Sequence, residues 1–474
     1  MTKRLTEIQK GKLSPMEWLK QGLSAIALKD RQGDELRAIL ELHPAPDRLV
    51  KALPAGALHG APILLKDNIE TADGMLTTAG SLALLDAPLP QQDAFLVQKL
   101  RAAGAVIFGK TNLSEWANIR SPHSTSGWSA RGGLTRNPHN PTHTASGSSS
   151  GSAAAVAAGF CAAAIGTETN GSIVSPASAC GIVGLKPTVG SISRSGIIPI
   201  SRWQDTPGPM TRTVRDAALI MDVIAAPDPS DPFSTAFTQR PIRSYLQDFA
   251  SDALRGRRLG IVRDLCGTHP EVLKVFEQTV ELLKTAGAEI MDGIKLSHVE
   301  EAASWAWQAM ITEFRVDLNL YLKRRGSRID SLAALIAFNQ EHREQEMPYF
   351  GQEFFEIAEH LDSPSDLAQA KAARTLASRL AGPDGIEDAL QRHALDALIC
   401  PTNDPAGLLN LDEGDTNTRV ASSPAAVAGY PHLTLPMGHA QGMPIGFSFI
   451  GKAWSEPQLL AMADALEAKL GFQD

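Results

Sequence analysis

Short apolar runs alternate with segments of helical periodicity along most of this chain, and that alternation is what most limits its fold. Ala61-Pro62-Ile63-Leu64-Leu65 reads as a buried strand that delivers Lys66 at its end. Residues 94–104 have helical spacing and a glycine stop, and 105–109 follow as a strand. The unit recurs as helix 152–159, strand 161–166, helix 214–225, strand 259–263, helix 270–286 and strand 288–291. This pattern predicts an α/β fold with a mixed, mainly parallel central sheet flanked by helices. Ser14-Pro15-Met16-Glu17 reads as a capping box that opens a helix of about three turns. Residues 227–245, rich in Pro, Asp and Ser, read as a loop. From about 298 to 395 the sequence turns almost purely helical, with Ser363-Pro364 capping one helix; strands return at 396–400, 433–437 and 445–450, before a closing helix over 455–470. Strands on both sides of the helical block predict one discontinuous domain over 1–474. It comprises N-terminal helices in 1–55, a core from 56–226 and 396–474, and a helical insertion at about 298–395.

The 44 Lys and Arg against 52 Asp and Glu leave a net charge of −8, which argues against a nucleic-acid or anionic-membrane binder. The basic run Lys323-Arg324-Arg325 before Gly326 fits a helix C-terminus, where cations complement the dipole and glycine caps. Cys161, Cys180, Cys266 and Cys400 are scattered with no CxxC pair, which fits a reducing compartment. The first 25 residues lack the apolar core of a signal peptide, and the mainly alanine stretch 153–165 is too short and weakly apolar to span a bilayer. The expectation is a cytoplasmic protein, monomeric or homodimeric, without nucleic-acid or membrane partners.

Residues 132–188 are the chemically suggestive part. Two polar loops of small residues, 146–152 and 167–175, each run into a segment that can be helical, and a helix start offers free N–H groups for an anion or oxyanion. A flexible Gly/Ser linker would not run directly into a packable, alanine-rich helix. Gly147-Ser148-Ser149-Ser150-Gly151 also matches G-x-S-x-G, the nucleophile elbow of α/β-hydrolases, with Ser149 as nucleophile and His393, His432 or His439 downstream as possible bases. That motif needs a strand directly before it, whereas residues 137–143 read as a proline-interrupted loop unfit for a central strand. His139 and His143 form H-x-x-x-H on the same broken loop rather than on one helix face, so no metal is expected. With no GxGxxG after a strand and no Walker motif, no cofactor is expected.

Six strings occur in register: "PILLKDNIET" at 62–71, "GKTNLSEWAN" at 109–118, "GSSSGSAAAVAAG" at 147–159, "GTETNGSIVSPAS" at 166–178, "GIVGLKPTVG" at 181–190 and "DTPGPMTRTVRDAA" at 205–218. Together they resemble the amidase signature family, over roughly residues 5–470. Within that family "SEWAN", "SGWSARGG", "TRNP", "GIIPIS", "AFNQ" and "AWSEP" are most similar to bacterial peptide amidases. The resemblance implies the amidase signature fold and a Ser–cis-Ser–Lys hydrolase with no cofactor. Ser172 would be the nucleophile, Ser148 the bridging serine preceded by a cis peptide bond, and Lys66 the base. Backbone N–H groups of Thr169, Asn170, Gly171 and Ser172 would form the oxyanion hole. The implied substrate is a primary carboxamide, such as the C-terminal amide of a peptide. The alternatives are a broad aryl- or aliphatic-amidase and an amidotransferase A-type subunit.

This chemistry is reasonable without histidine. A serine hydroxyl needs a base, and a lysine serves only when neutral, so burial beside Ile63, Leu64 and Leu65 is expected to lower the pKa of Lys66. Three positions depart from the family's usual pattern. Asn170-Gly171 replaces Gly-Gly, where Asn tolerates left-handed backbone better than most residues. Val174 replaces an arginine, which counts against the amidotransferase branch. Glu168 stands where Asp is commoner, and the sequence attaches no mechanism to it.

Overall fold

The computed structural model describes residues 1–239, 242–415 and 419–471. Parts of the loop expected over 227–245, of the core stretch 396–474 and of its closing end therefore lie outside the described residues. The strands of the main sheet are β1 (Ile39–Leu42), β2 (Pro62–Lys66), β3 (Val106–Thr111), β4 (Ala163–Glu168), β5 (Val183–Lys186), β6 (Thr206–Thr211), β7 (Arg258–Ile261), β8 (Glu289–Met291), β9 (Ala397–Pro401), β10 (His432–Ala440) and β11 (Met443–Ile450). Their order across the sheet is β1-β3-β2-β4-β6-β5-β10-β11-β9-β7-β8. The mixed α/β sheet forms as expected, but parallel pairing is not the majority. Only β3·β2, β2·β4, β9·β7 and β7·β8 run parallel; the other six neighbours are antiparallel. One cause is local: β10 and β11 are joined by the two-residue turn Gln441-Gly442, both with positive φ (51° and 76°), which makes a hairpin rather than a crossover.

Strand β6 has no strand signature in the sequence because Thr206-Pro207-Gly208-Pro209-Met210-Thr211 carries two prolines, yet it is fully buried in the sheet. The prolines are two residues apart, so their missing N–H groups fall on one edge of the strand and leave the other edge its donors. The proline-containing stretch 140–144 does form a strand, correcting the loop reading. It pairs with residues 136–137 in a separate two-stranded ribbon and bridges Leu408 through His143, outside the main sheet. The loop over 227–245 contains two short helical turns, Pro232–Thr235 and Ala236–Gln239.

The helices cover both faces. α1 (Pro15–Lys29) has the expected box: Glu17 N donates to Ser14 Oγ at 3.1 Å and Ser14 N to Glu17 Oε2 at 2.8 Å, and it runs 15 residues, longer than expected. α2 (Phe95–Ala102), α3 (Ser150–Ala157), α4 (Val174–Ala179), α5 (Val214–Ile224) and α6 (Pro270–Thr285) follow. α7 (Val299–Arg325) opens the helical stretch and ends at Gly326 with φ 66°, as the basic run predicts. α8 (Pro364–Ala381) lies within that stretch, and α9 (Glu456–Leu470) closes the fold. Strand alternation sorts the core. Ile63 and Leu65 enter a large cluster with α2, α5, α6 and α9, whereas Leu64 enters a second one with Ala153–Val156 of α3. Phe314, Leu318 and Leu322 of α7 pack on Leu84, Trp116, Ile198 and Ile200, so the helical stretch sits over loops beside the C-terminal ends of β2 and β4.

α3 meets the chain backbone just past the end of β3. A Cβ at Gly151 would lie 2.5 Å from the carbonyl oxygen and 2.6 Å from the nitrogen of Asn112, and nearer still to the Ala38 carbonyl oxygen. Gly151→Ala gains roughly 1 kcal/mol of helix propensity, but rigid backbone cannot move aside. We expect a net loss of about 3 kcal/mol or unfolding, read from urea denaturation midpoints.

Candidate active site

β2 and β4 are parallel neighbours with Leu65 opposite Ile165, so both end on the same edge of the sheet. That edge brings Lys66 beside Thr167. The Lys66 side chain is fully buried, and its Nζ donates to Ser148 Oγ at 2.7 Å, Thr167 Oγ1 at 3.0 Å and the Thr167 carbonyl at 3.2 Å. Burial pushes its pKa down to about 7, against the opposing pull of Glu168 and Asp205. Asn68 Nδ2 donates to Thr167 Oγ1 at 2.9 Å and fixes that hydroxyl. Lys110 and Lys186 are also buried and pushed down to about 8. Their amines meet carbonyls, with Thr77 Oγ1 also beside Lys110; of these three lysines, only Lys66 touches a serine of the glycine-rich loop.

Ser148 sits just before α3, and the Gly147–Ser148 peptide is cis. Its carbonyl accepts from Ser114 N at 3.0 Å. A Cβ at Gly147 would collide with Ser114 Oγ and lie 3.0 Å from Ser126 Oγ, so only glycine fits there. The next residue ties this loop to the second one: Ser149 N donates to the Ser172 carbonyl at 3.1 Å. Thus the structure brings Lys66 and Ser148 into direct contact and sets Ser172 against the same backbone. Ser172 is half-buried, and no side-chain partner occupies its hydroxyl among the described residues.

The loop from β4 to α4 separates its backbone donors into two groups. Glu168 Oε2 accepts from Ile173 N at 2.8 Å and Val174 N at 3.1 Å. Among the described residues no acceptor takes the N–H groups of Asn170, Gly171 or Ser172. The left-handed residue is Gly171, with φ 85°, and not Asn170, which corrects the role expected for the asparagine. Asn170 instead seats the loop on the far chain segment: its Oδ1 accepts from Ser422 Oγ at 2.6 Å, and its Nδ2 donates to Ser423 Oγ at 3.2 Å. Thr169 Oγ1 donates to Asp205 Oδ1 at 2.7 Å, and burial pushes the Asp205 carboxyl up to about 6. A cavity of about 270 Å³ lies against both loops, lined by Ser146, Gly147, Asn170, Gly171 and Ser175 and across from them by Leu408, Asn410 and Asp415.

Ser149 is fully buried, donating to the Thr167 carbonyl at 3.1 Å and accepting from Thr167 N at 3.2 Å. No histidine bonds to it among the described residues. His432 is buried against Ser448 Oγ at 2.7 Å and held neutral with its pKa pushed down to about 3; His439 lies exposed beside His139. The carbonyl of His393 accepts from Arg258. His139 Nε2 contacts the Cys180 carbonyl at 3.0 Å, and His143 Nδ1 contacts Thr142 Oγ1 at 3.0 Å. The elbow reading is therefore overturned at Ser149.

Glu168, Thr167, Asn68 and Asp205 do not stand out as site residues in the sequence. The signal lies in the quoted strings themselves, where polar residues follow apolar strands at the edge that receives Lys66.

A lowered amine next to a hydroxyl, with a loop of unused N–H groups nearby, are the parts from which serine-type hydrolases of amides and esters are built. The chain belongs to the amidase family, whose sequence pattern matches residues 38–460, and it is an amide hydrolase of the amidase signature fold. It is 44% identical to the peptide amidase from Stenotrophomonas maltophilia, with a TM-score of 0.92 over 99% of this chain and 96% of that one. A probable amidase of Arabidopsis thaliana is 38% identical, over 91% of this chain and 83% of its own. The A-type subunit of the glutamyl-tRNA(Gln) amidotransferase of Roseiflexus castenholzii is 34% identical, over 89% of this chain and 85% of its own.

Removing the Glu168 carboxylate leaves two buried N–H groups without an acceptor. Glu168→Ala is expected to cost about 2 kcal/mol or more, seen as a lower urea midpoint at unchanged slope.

Proposed function

We propose that this enzyme hydrolyses primary carboxamides, with the C-terminal amide of peptides as its substrate class, through Lys66, Ser148 and Ser172 and an acyl-enzyme. The observation that carries the reading is the 2.7 Å contact between Lys66 Nζ and Ser148 Oγ in a site where the amine titrates near 7. In its neutral form the amine directs its two N–H bonds to the carbonyl and hydroxyl of Thr167, which leaves its lone pair facing the Ser148 O–H. Ser172 Oγ attacks the amide carbon while its proton passes to Ser148, whose own proton passes to Lys66. The oxyanion takes hydrogen bonds from the free N–H groups of the loop Thr169–Ser172, the term that contributes most in such reactions. As the C–N bond breaks, the proton returns through Ser148 to the leaving nitrogen and ammonia departs. Water, deprotonated by the same pair, then cleaves the ester on Ser172 and releases the acid.

The peptide-amide refinement is supported by the likeness to the Stenotrophomonas peptide amidase and by a cavity with room beside the reacting carbonyl. Against an amidotransferase role stands Val174, a buried apolar residue at the start of α4. The four buried free cysteines accord with a reducing, cytoplasmic setting. Among the described residues no helix is long and apolar enough to cross a membrane.

Ammonia release should be measured over peptide amides, amino-acid amides, anilides and glutamine. Peptide amides are expected to give the highest kcat/KM, and a preference for anilides or glutamine would replace this substrate class. Ser172→Ala and Lys66→Ala are each expected to lower kcat by about 10³-fold or more. Ser149→Ala should stay within a few fold of the parent while losing about 1–2 kcal/mol of stability. Because the base acts only when deprotonated, kcat/KM should rise with pH through about 7 and level off above it. A flat profile from pH 5 to 8 would remove Lys66 as the base.

A further inference from the structure

Thr169 is gripped by two consecutive residues at the entry to β6. Its hydroxyl is held by Asp205, and its carbonyl accepts from Gln204 Nε2 at 3.1 Å. Gln204 is buried, and its Oε1 accepts in turn from Arg374 Nη1 of α8. Arg374 is itself buried and anchored on Glu313 of α7, with Nε to Oε1 at 2.9 Å and Nη2 to Oε2 at 2.7 Å. A continuous polar chain therefore runs from the helical stretch through Gln204 to the main chain of the nucleophile loop.

The geometry of one peptide unit gives that chain its meaning. In a trans peptide the C=O and N–H bonds point in opposite directions. Fixing the Thr169 carbonyl on Gln204 therefore fixes the Asn170 N–H to point the other way, and that N–H has no acceptor among the described residues. We infer that Gln204 is a positioning residue. Held by Arg374, it sets the direction of the Asn170 N–H as an oxyanion donor and so makes catalysis depend on the docking of α7 and α8. The inference rests on the hydrolytic reading of this loop. Neither Gln204 nor Arg374 approaches the reacting hydroxyls, so their effect should fall on the transition state and not on substrate binding.

Two substitutions separate positioning from packing. Gln204→Glu keeps the partner for Arg374, and adds charge to it, but has no N–H for the Thr169 carbonyl when ionised. Gln204→Met keeps the volume, lacks the donor and adds no charge. Both are expected to lower kcat by about tenfold or more with KM within about twofold, since full removal of an oxyanion donor costs roughly 10²–10³-fold. Both variants should remain folded, read from circular-dichroism melts, and the pH midpoint of the Gln204→Met protein should not move. Parent-like kcat in either folded variant, or a rise in KM alone, overturns the inference. If Gln204→Glu slows the reaction and Gln204→Met does not, charge and not direction is responsible, which also overturns it. Ser172→Ala measured in parallel tests the underlying reading: an active Ser172→Ala protein defeats that reading, whereas an inactive one beside parent-like Gln204 variants defeats only the positioning role.

Discussion

The Lys66 amine is held at the end of a buried strand, away from solvent, with hydroxyl and carbonyl oxygens of Thr167 and Ser148 as its neighbours. An ammonium is costly in such a place, and the two nearby carboxylates only partly offset the cost. The surrounding loops follow from keeping this amine both dry and in contact with Ser148. The parallel pair β2 and β4 places Lys66 next to Thr167, and the contact of α3 with β3 brings the Ser148 loop down onto the amine. Lys110 and Lys186 share the burial and the lowered pKa but lack the serine neighbour, so desolvation alone does not set Lys66 apart from them.

The loop from β4 to α4 shows how one carboxylate can assign roles to a row of similar backbone groups. Glu168 engages the N–H groups of Ile173 and Val174, which would otherwise compete for any anion arriving at the start of α4. Two of the donors just before them are aimed by the carbonyls of their own peptide units: the Thr169 carbonyl accepts from Gln204 and the Gly171 carbonyl from Ser175 N at 2.8 Å, which points the Asn170 and Ser172 N–H groups the opposite way. The set of open donors is thus defined as much by what is already bonded as by what is free.

Much of this is legible in the sequence. The strand ending in Lys66, the two small-residue loops, the capping boxes at Ser14 and Ser363 and the helical block from 298 all appear where local pattern places them. What stays hidden is set by tertiary contact. β6 carries two prolines and shows no strand signature, yet β4 gives it a full antiparallel partner. The antiparallel majority arises from long-range order among strands, which periodicity does not encode. Asn170 reads as a backbone residue, but its side chain reaches Ser422 and Ser423 from a distant segment, and Gly171 takes the left-handed turn. Glu168 goes unmarked because one carboxylate in a polar string gives no sign of which N–H groups it will cap.

The sheet is sewn together from distant parts of the chain, with Lys186 of β5 opposite His432 of β10 and the Asn170 side chain resting on Ser422. Each of these contacts closes a loop of roughly 250 residues, and such closures come late because their entropy must be met before they are rewarded. A nascent chain halted between residues 172 and 420 already holds Lys66, Ser148 and Ser172, but lacks the seat on which the Asn170 side chain rests. The loop carrying Ser172 therefore gains its full support only after the segment from Ser422 onward has been made and has docked.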